Sequence, residues 1–336
     1  MGIFFTNLKY LLSEVNRLKP FKSYEEQLEI LKARNLIIED EKEALEDIKD
    51  INYYNIINGY KTPFLKRDLS GVLVSPETFI DNCNFKNLIS LYNLDKELKS
   101  LLFGYLLEFE RTLKSYIAYI FSEEYGKNEV FPYLNFKNFS SNSEDLDIVL
   151  SVIKDISLEV KNKKADSIRH YLKQHKELPF WVLINQLTLG NTSYLYEALK
   201  PTTKDKIAKN FSLRFKANYS STKQITADTL IEVIKISVKF RNICAHDNIL
   251  LLSKLSKKTK TANIQELLNI TNYSGENLYD LICALKLVLK KDSFILLTDS
   301  IVKIFKKYQN NFTGVKFEDI ISLGGFQKIE FLDSQE

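Results

Sequence analysis

The chain has 336 residues, 45% of them hydrophobic and 27% charged, with a formal net charge of +4. At roughly 150 residues per domain this allows about two domains, or one helical body with an appended subdomain, so core size is no limit on stability. The 10 glycines and 6 prolines are few for this length, which favours long helices over many short strands. Cys83, Cys244 and Cys283 lie far apart without a C-x-x-C pair, so no disulfide framework or zinc knuckle is expected and each reads as a small buried hydrophobe. No apolar run reaches the 18 or so residues that span a bilayer, and residues 1–20 lack the pattern of a signal peptide. The expectation is a cytoplasmic protein with no membrane partner.

Taken in chain order, Ser23 with Glu26 makes a capping box that should open a helix running to about Arg34. A second helix is expected from about Glu41 through INYYNIINGY, until Gly59 and Pro63 break it. Residues 85–124 form a very long apolar-periodic stretch, read as two helices or one kinked near Gly104. Residues 126–146 read as a loop or insertion, and helical periodicity resumes from about Leu146 to Gln174. Pro179 should open a helix over FWVLINQLTL and Gly190 close it. A last helix pair is expected at about Thr226 to Asp247 and across Gly275 to Tyr308, with SLGGFQKIEFL a short terminal piece.

Charge is distributed unevenly. Between Lys200 and Arg241 stand ten basic and three acidic residues, a locally positive window suited to a polyanion, whereas EDEKEALEDIKD at 39–50 suits a solvated face turned away from one. The RNA-binding candidates are Lys204, Lys206, Lys209, Arg214, Lys216, Lys235 and Lys239.

RNICAH at 241–246 sits near the end of the expected helix from Thr226. At 100° per residue, Lys235, Lys239, Asn242 and His246 form one polar ridge able to track a phosphate backbone and end on an imidazole. Arg241 falls instead in the middle of the apolar arc, so its guanidinium must either pair with an acid such as Glu110 or Glu108 or bend round to the polar edge. These residue types suit cleavage of RNA by its own 2′-hydroxyl, which needs no metal or other cofactor. Histidine moves the proton, arginine holds the phosphate, and asparagine orients one or the other. The bland reading is a helix-terminal charge beside a packed histidine.

At this point the chain resembles a known family. Arg-Asn-x-x-x-His at the end of a long helix is similar to the Arg-x4–6-His signature of the HEPN ribonucleases. RLKPFKSYEEQLEILKARNLII, INYYNIINGY, LYNLDKELKSLLFGYLLEFERTLKSYIAY, LPFWVLINQLTLGNTSYLY and RNICAHDNIL resemble the Abi-like abortive-infection proteins of the AbiD/AbiF type, a HEPN branch of phage-defence proteins. The resemblance implies an all-α, HEPN-type helical bundle at 85–250, with an insertion near 126–146, an N-terminal helical subdomain at 1–84 and a C-terminal helical extension at 251–336. It implies Arg241, Asn242 and His246 as the catalytic motif and no cofactor. It also implies a homodimer that brings two motifs together, RNA as target, and control by a small non-coding RNA in the manner of a toxin–antitoxin pair. Lys114 stands where the family would favour arginine.

Two rivals remain open. The aromatic residues could stack bases in a non-catalytic RNA-binding module. His246-Asp247 could be the pair of a metal-dependent HD phosphohydrolase, although the other histidines, His170 and His175, stand about 140° apart on a helical wheel.

Overall fold

The computed structural model describes residues 20–127, 129–162, 165–246, 248–256 and 261–330. The fold is all-α, with no strand among the described residues beyond isolated bridges. By packing, the chain divides into two units: residues up to Tyr92 with Asn311–Lys316, and Asn93–Asn310 with Phe317 onward.

The first unit opens with α1 (Tyr24–Ala33), whose Ser23 and Glu26 make both bonds of a capping box. Helix α2 (Glu41–Ile51) is capped by Asp40 and buries Ala44 and Ile48. It ends sooner than its apolar spacing suggests, because Asn52 takes a positive φ of 83° and the chain continues as a π turn over Tyr54–Asn58. The segment Asn311–Lys316 returns here: Phe312 stacks on Phe64 with ring centroids 6.2 Å apart, and buried Asn87 donates to the Thr313 carbonyl at 2.7 Å. At Gly314 (φ 76°) a side chain would come within 2.6 Å of the Asp81 carbonyl oxygen, so only glycine fits the turn.

Helix α3 (Phe85–Tyr125) runs as one element of 41 residues through Gly104. Its stripe in the second unit, Leu94, Leu98, Leu102, Leu106, Phe109, Leu113, Ile117 and Phe121, is fully buried at spacings of three and four, which is the spacing of one helix face. Short 3-10 turns fill the expected loop, leading to α4 (Leu146–Asn162), α5 (Asp166–Gln174) and α6 (Phe180–Leu183). Pro179 is the N-cap of α6 rather than its first helical residue, and Gly190 does not close a helix. Thr188 accepts from the Asn191 amide and caps a new helix, α7 (Leu189–Ala198), that contains Gly190, so side-chain capping overrides the glycine signal. Pro201 opens α8 (Pro201–Tyr219), which occupies much of the basic window. Helix α9 (Ala227–Ala245) is capped by Thr226. After α10 (Ala262–Leu268), α11 (Leu278–Lys286) is buried over every residue from Leu278 to Leu285, as expected of a helix apolar almost all round. Its one buried charge, Asp280, accepts from Ser274, Glu276 and Asn277, and so is satisfied. Helices α12 (Lys291–Tyr308) and α13 (Phe317–Ser322) complete the unit, and Phe326 packs edge-on against Phe305 at 5.1 Å. No helix of the described residues is long and apolar enough to cross a membrane.

Candidate functional site

Arg241, Asn242 and His246 come together in the last turn of α9 and its cap. Leu230, Val233, Ile234, Ile236 and Phe240 bury one side of the helix, and this fixes which way the remaining positions face. Asn242 and His246 are exposed, while Lys235 and Lys239 on the same ridge are half-buried. Arg241 is half-buried and its guanidinium bends to the polar edge, where Nη1 donates to Asn242 Oδ1 at 3.1 Å. Its Nε is shielded from solvent and has no partner among the described residues. Glu110 is not its counter-ion: that carboxylate is paired with Lys114 at 2.6 Å, and Lys114 also donates to the Leu187 carbonyl. Asn242 is thus bonded to Arg241 by its side chain and to the His246 amide by its carbonyl, at 3.1 Å. One residue holds both ends of the motif.

The chain beyond His246 is anchored by α3. Asp95, fully buried, accepts from the amides of Leu250 at 3.1 Å and Leu251 at 2.7 Å, and Lys99 donates to the Asn248 carbonyl at 3.3 Å. Asp95 and Lys99 pair at 3.6 Å one helical turn apart. A buried pair survives desolvation only when further hydrogen bonds satisfy it, and here the segment after the motif supplies them. Cys244, at the edge of this cluster, has its thiol pushed up to about 12, by burial first and the Asp95 carboxylate second, with Lys99 opposing. Sequence reasoning missed this anchor. The available signal was a charged pair four residues apart inside the apolar run LYNLDKELKSLL.

The proposed RNA-contacting cations fall into two groups. Lys204 donates to the Glu197 carbonyl, Lys206 pairs with Glu124 at 2.6 Å, and Lys235 pairs with Glu197 at 3.1 Å. Arg214 donates to the Val288 carbonyl and lies over the Phe211 ring at 5.1 Å, and burial lowers its pKa. Lys209, Lys216 and Lys239 have no hydrogen-bond or ion-pair partner among the described residues.

His170 and His175 also differ from the wheel. Helix α5 stops at Gln174, His175 is its cap and Lys176 takes a φ of 58°, so the two rings lie 5.7 Å apart rather than on divergent faces. Among the described residues no group of three or more His, Cys, Asp or Glu could hold a metal ion. Asp247, the second member of an HD pair, lies outside the described residues.

A family model described as Abi-like protein matches residues 46–251. The chain belongs to the Abi-like protein family. The match covers α3, the Asp95 and Lys99 anchor, the basic helix α8 and the whole of the Arg241–His246 motif of this Abi-like chain. Membership supports abortive-infection phage defence as its general function. No curated protein and no solved structure matches the Abi-like chain.

Proposed function

We propose that this Abi-like protein acts in phage defence by binding and cutting RNA, as a metal-independent HEPN endoribonuclease of the AbiD/AbiF type, with Arg241, Asn242 and His246 as the catalytic motif. The observation that carries the reading is the trio itself: a guanidinium turned out of an apolar arc, an asparagine holding it, and an exposed imidazole one turn on. The Arg241 guanidinium binds the scissile phosphate and offsets charge growing on its oxygens. Asn242 positions it. His246 exchanges a proton with the attacking 2′-hydroxyl or the leaving 5′-oxygen, the task imidazole performs near neutral pH.

A single chain brings one such histidine to the motif, whereas the displacement uses an acid and a base. A homodimer with motifs facing across a two-fold axis supplies both. Half-exposed Ile231 and Val238 with exposed Ala245, seven residues apart, leave an apolar strip beside the polar ridge on α9 for a second copy to cover. Control by a small non-coding RNA and a cytoplasmic location belong to the same proposal. The test is His246→Ala. Because His246 is exposed, the substitution should leave the melting temperature unchanged yet slow RNA cleavage by about 10²–10⁴-fold, and the parent should cut in EDTA. Parent-like cleavage by the alanine variant would overturn the catalytic assignment. RNA binding without cleavage by concentrated parent protein would leave the non-catalytic module, and loss of activity in EDTA would favour the HD phosphohydrolase.

A further inference from the structure

We propose that an open cleft between α3 and α6, which shares no residue with the Arg241–His246 motif, is a nucleotide-binding site. The cleft has a volume of about 730 Å³, within the range of small-ligand pockets. Tyr119 on α3 and Trp181 on α6 line it, and they are 68% and 57% exposed. Large rings left in water on the walls of a cleft offer flat apolar faces that a planar heterocycle can cover, whichever base it is.

The other lining groups select an anion. Arg111 and Lys127 line the cleft, are exposed, and have no hydrogen-bond or ion-pair partner among the described residues. The acid facing them is Glu123. Arginine matches a phosphate bidentately, and two cations against one carboxylate leave the cleft positive. The wall also contains unspent polar capacity. Lys114 is buried and spends two of its three N–H donors on Glu110 and the Leu187 carbonyl. The Ser122 hydroxyl is shielded and has no hydrogen-bond partner among the described residues. Buried polar groups without partners are uncommon unless something outside the chain satisfies them.

Stacking faces together with phosphate-binding cations describe a nucleotide better than a neutral sugar or an acidic peptide. Along α3, Arg111 and Tyr119 are about 12 Å apart at 1.5 Å per residue, enough for a base on the rings with its phosphate reaching the guanidinium. The nucleotide is either free or an unpaired residue of an RNA strand. The second source rests on the RNA reading above, and the first does not.

Trp181 is the one tryptophan of the chain, so tryptophan emission, excited selectively over tyrosine, reports on this cleft alone. The full chain carrying His246→Ala, which keeps RNA intact, is titrated with UMP, AMP and a seven-residue uridine RNA, with uridine and inorganic phosphate as controls. The expected result is saturable quenching by nucleotides, stronger than by uridine or phosphate alone, and weakened at least fivefold by Arg111→Gln. Calorimetry on Trp181→Leu should show the binding lost, and both variants should melt as the parent does because the altered side chains are exposed. Mononucleotides binding as tightly as the heptamer identify a free nucleotide; a heptamer bound tenfold tighter identifies an RNA strand. Either supports the site. Absence of saturable quenching by all three ligands overturns it, as does binding indifferent to both substitutions. An emission shift that tracks protein concentration alone also overturns it, because a second copy would then cover Trp181. The mononucleotide result stands whether or not the parent cuts RNA.

Discussion

At the scale of single residues, the burial pattern separates charges that look alike in the sequence. Lys206 and Lys235 are neighbours of Lys209 and Lys239 in a predominantly basic window, yet the first two are paired with Glu124 and Glu197 and the other two have no ion-pair partner among the described residues. A lysine already paired must give up its carboxylate to meet a phosphate, so it releases less free energy on binding. Changing Lys209, Lys216 and Lys239 to Gln together should therefore lower the slope of log affinity against log salt by about 0.7 per lost contact on single-stranded RNA. Lys206→Gln alone should lower it by less than any one of the three. Filter binding between low and moderate salt measures this, and an unchanged slope in the triple variant would move the RNA surface off α8 and α9.

At the scale of elements, the end of α9 is held by a helix far away in the sequence. Asp95 receives the Leu250 and Leu251 amides across 155 and 156 positions and pairs with Lys99. Asp95→Ala would take a carboxylate away from the buried Lys99 ammonium and leave two amides unsatisfied. Removing one partner of a buried pair costs about 3–5 kcal/mol, and the segment after His246 should loosen with it. Asp95→Asn keeps an amide acceptor but loses the charge, so it should fall between parent and alanine. Urea midpoints rank the three chains, and cleavage at a temperature where all remain folded reports the geometry of the motif. Full cleavage by a destabilised Asp95→Ala chain would show that the anchor serves the fold alone.

At the scale of the whole molecule, two properties sum over distant parts. Burial pushes the thiols of Cys83, Cys244 and Cys283 up to about 12 from an ordinary 9.0, and it raises Tyr133, Tyr196 and Tyr273 in the same direction. These groups hold their protons in the folded state at pH values where the unfolded chain has released them. Stability from this source is complete below pH 9 and falls as pH rises from 9 toward 12. Urea midpoints at pH 8 and pH 10.5 should show the decrease, and an equal or higher midpoint at pH 10.5 would contradict it. The second property is assembly. Mixing parent chains with an excess of His246→Ala chains, under conditions of subunit exchange, should lower activity per parent chain as mixed dimers form. Activity strictly proportional to parent chain, with a monomeric mass at working concentration, would reject a site shared between two copies.

The helices, the first cap and the family were legible in the sequence because each rests on residues a few positions apart. The buried stripe from Leu94 to Phe121 follows from spacing alone, the Ser23 and Glu26 cap from three intervening bonds of helix geometry, and the motif at 241–246 from adjacency. Where local signals competed, as when the Thr188 cap prevailed over Gly190 or Asn52 ended α2 early, spacing could not rank them. Tertiary packing alone decided where the Arg241 guanidinium turned, which lysines found carboxylates, how Asp95 came to hold residues 250 and 251, and that Tyr119 and Trp181 line one cleft. Apart from the adjacent Arg241 and Asn242, those pairings join positions tens to more than a hundred residues apart, and their energies depend on which surfaces exclude water together, a property that the order of residues in one helix does not contain.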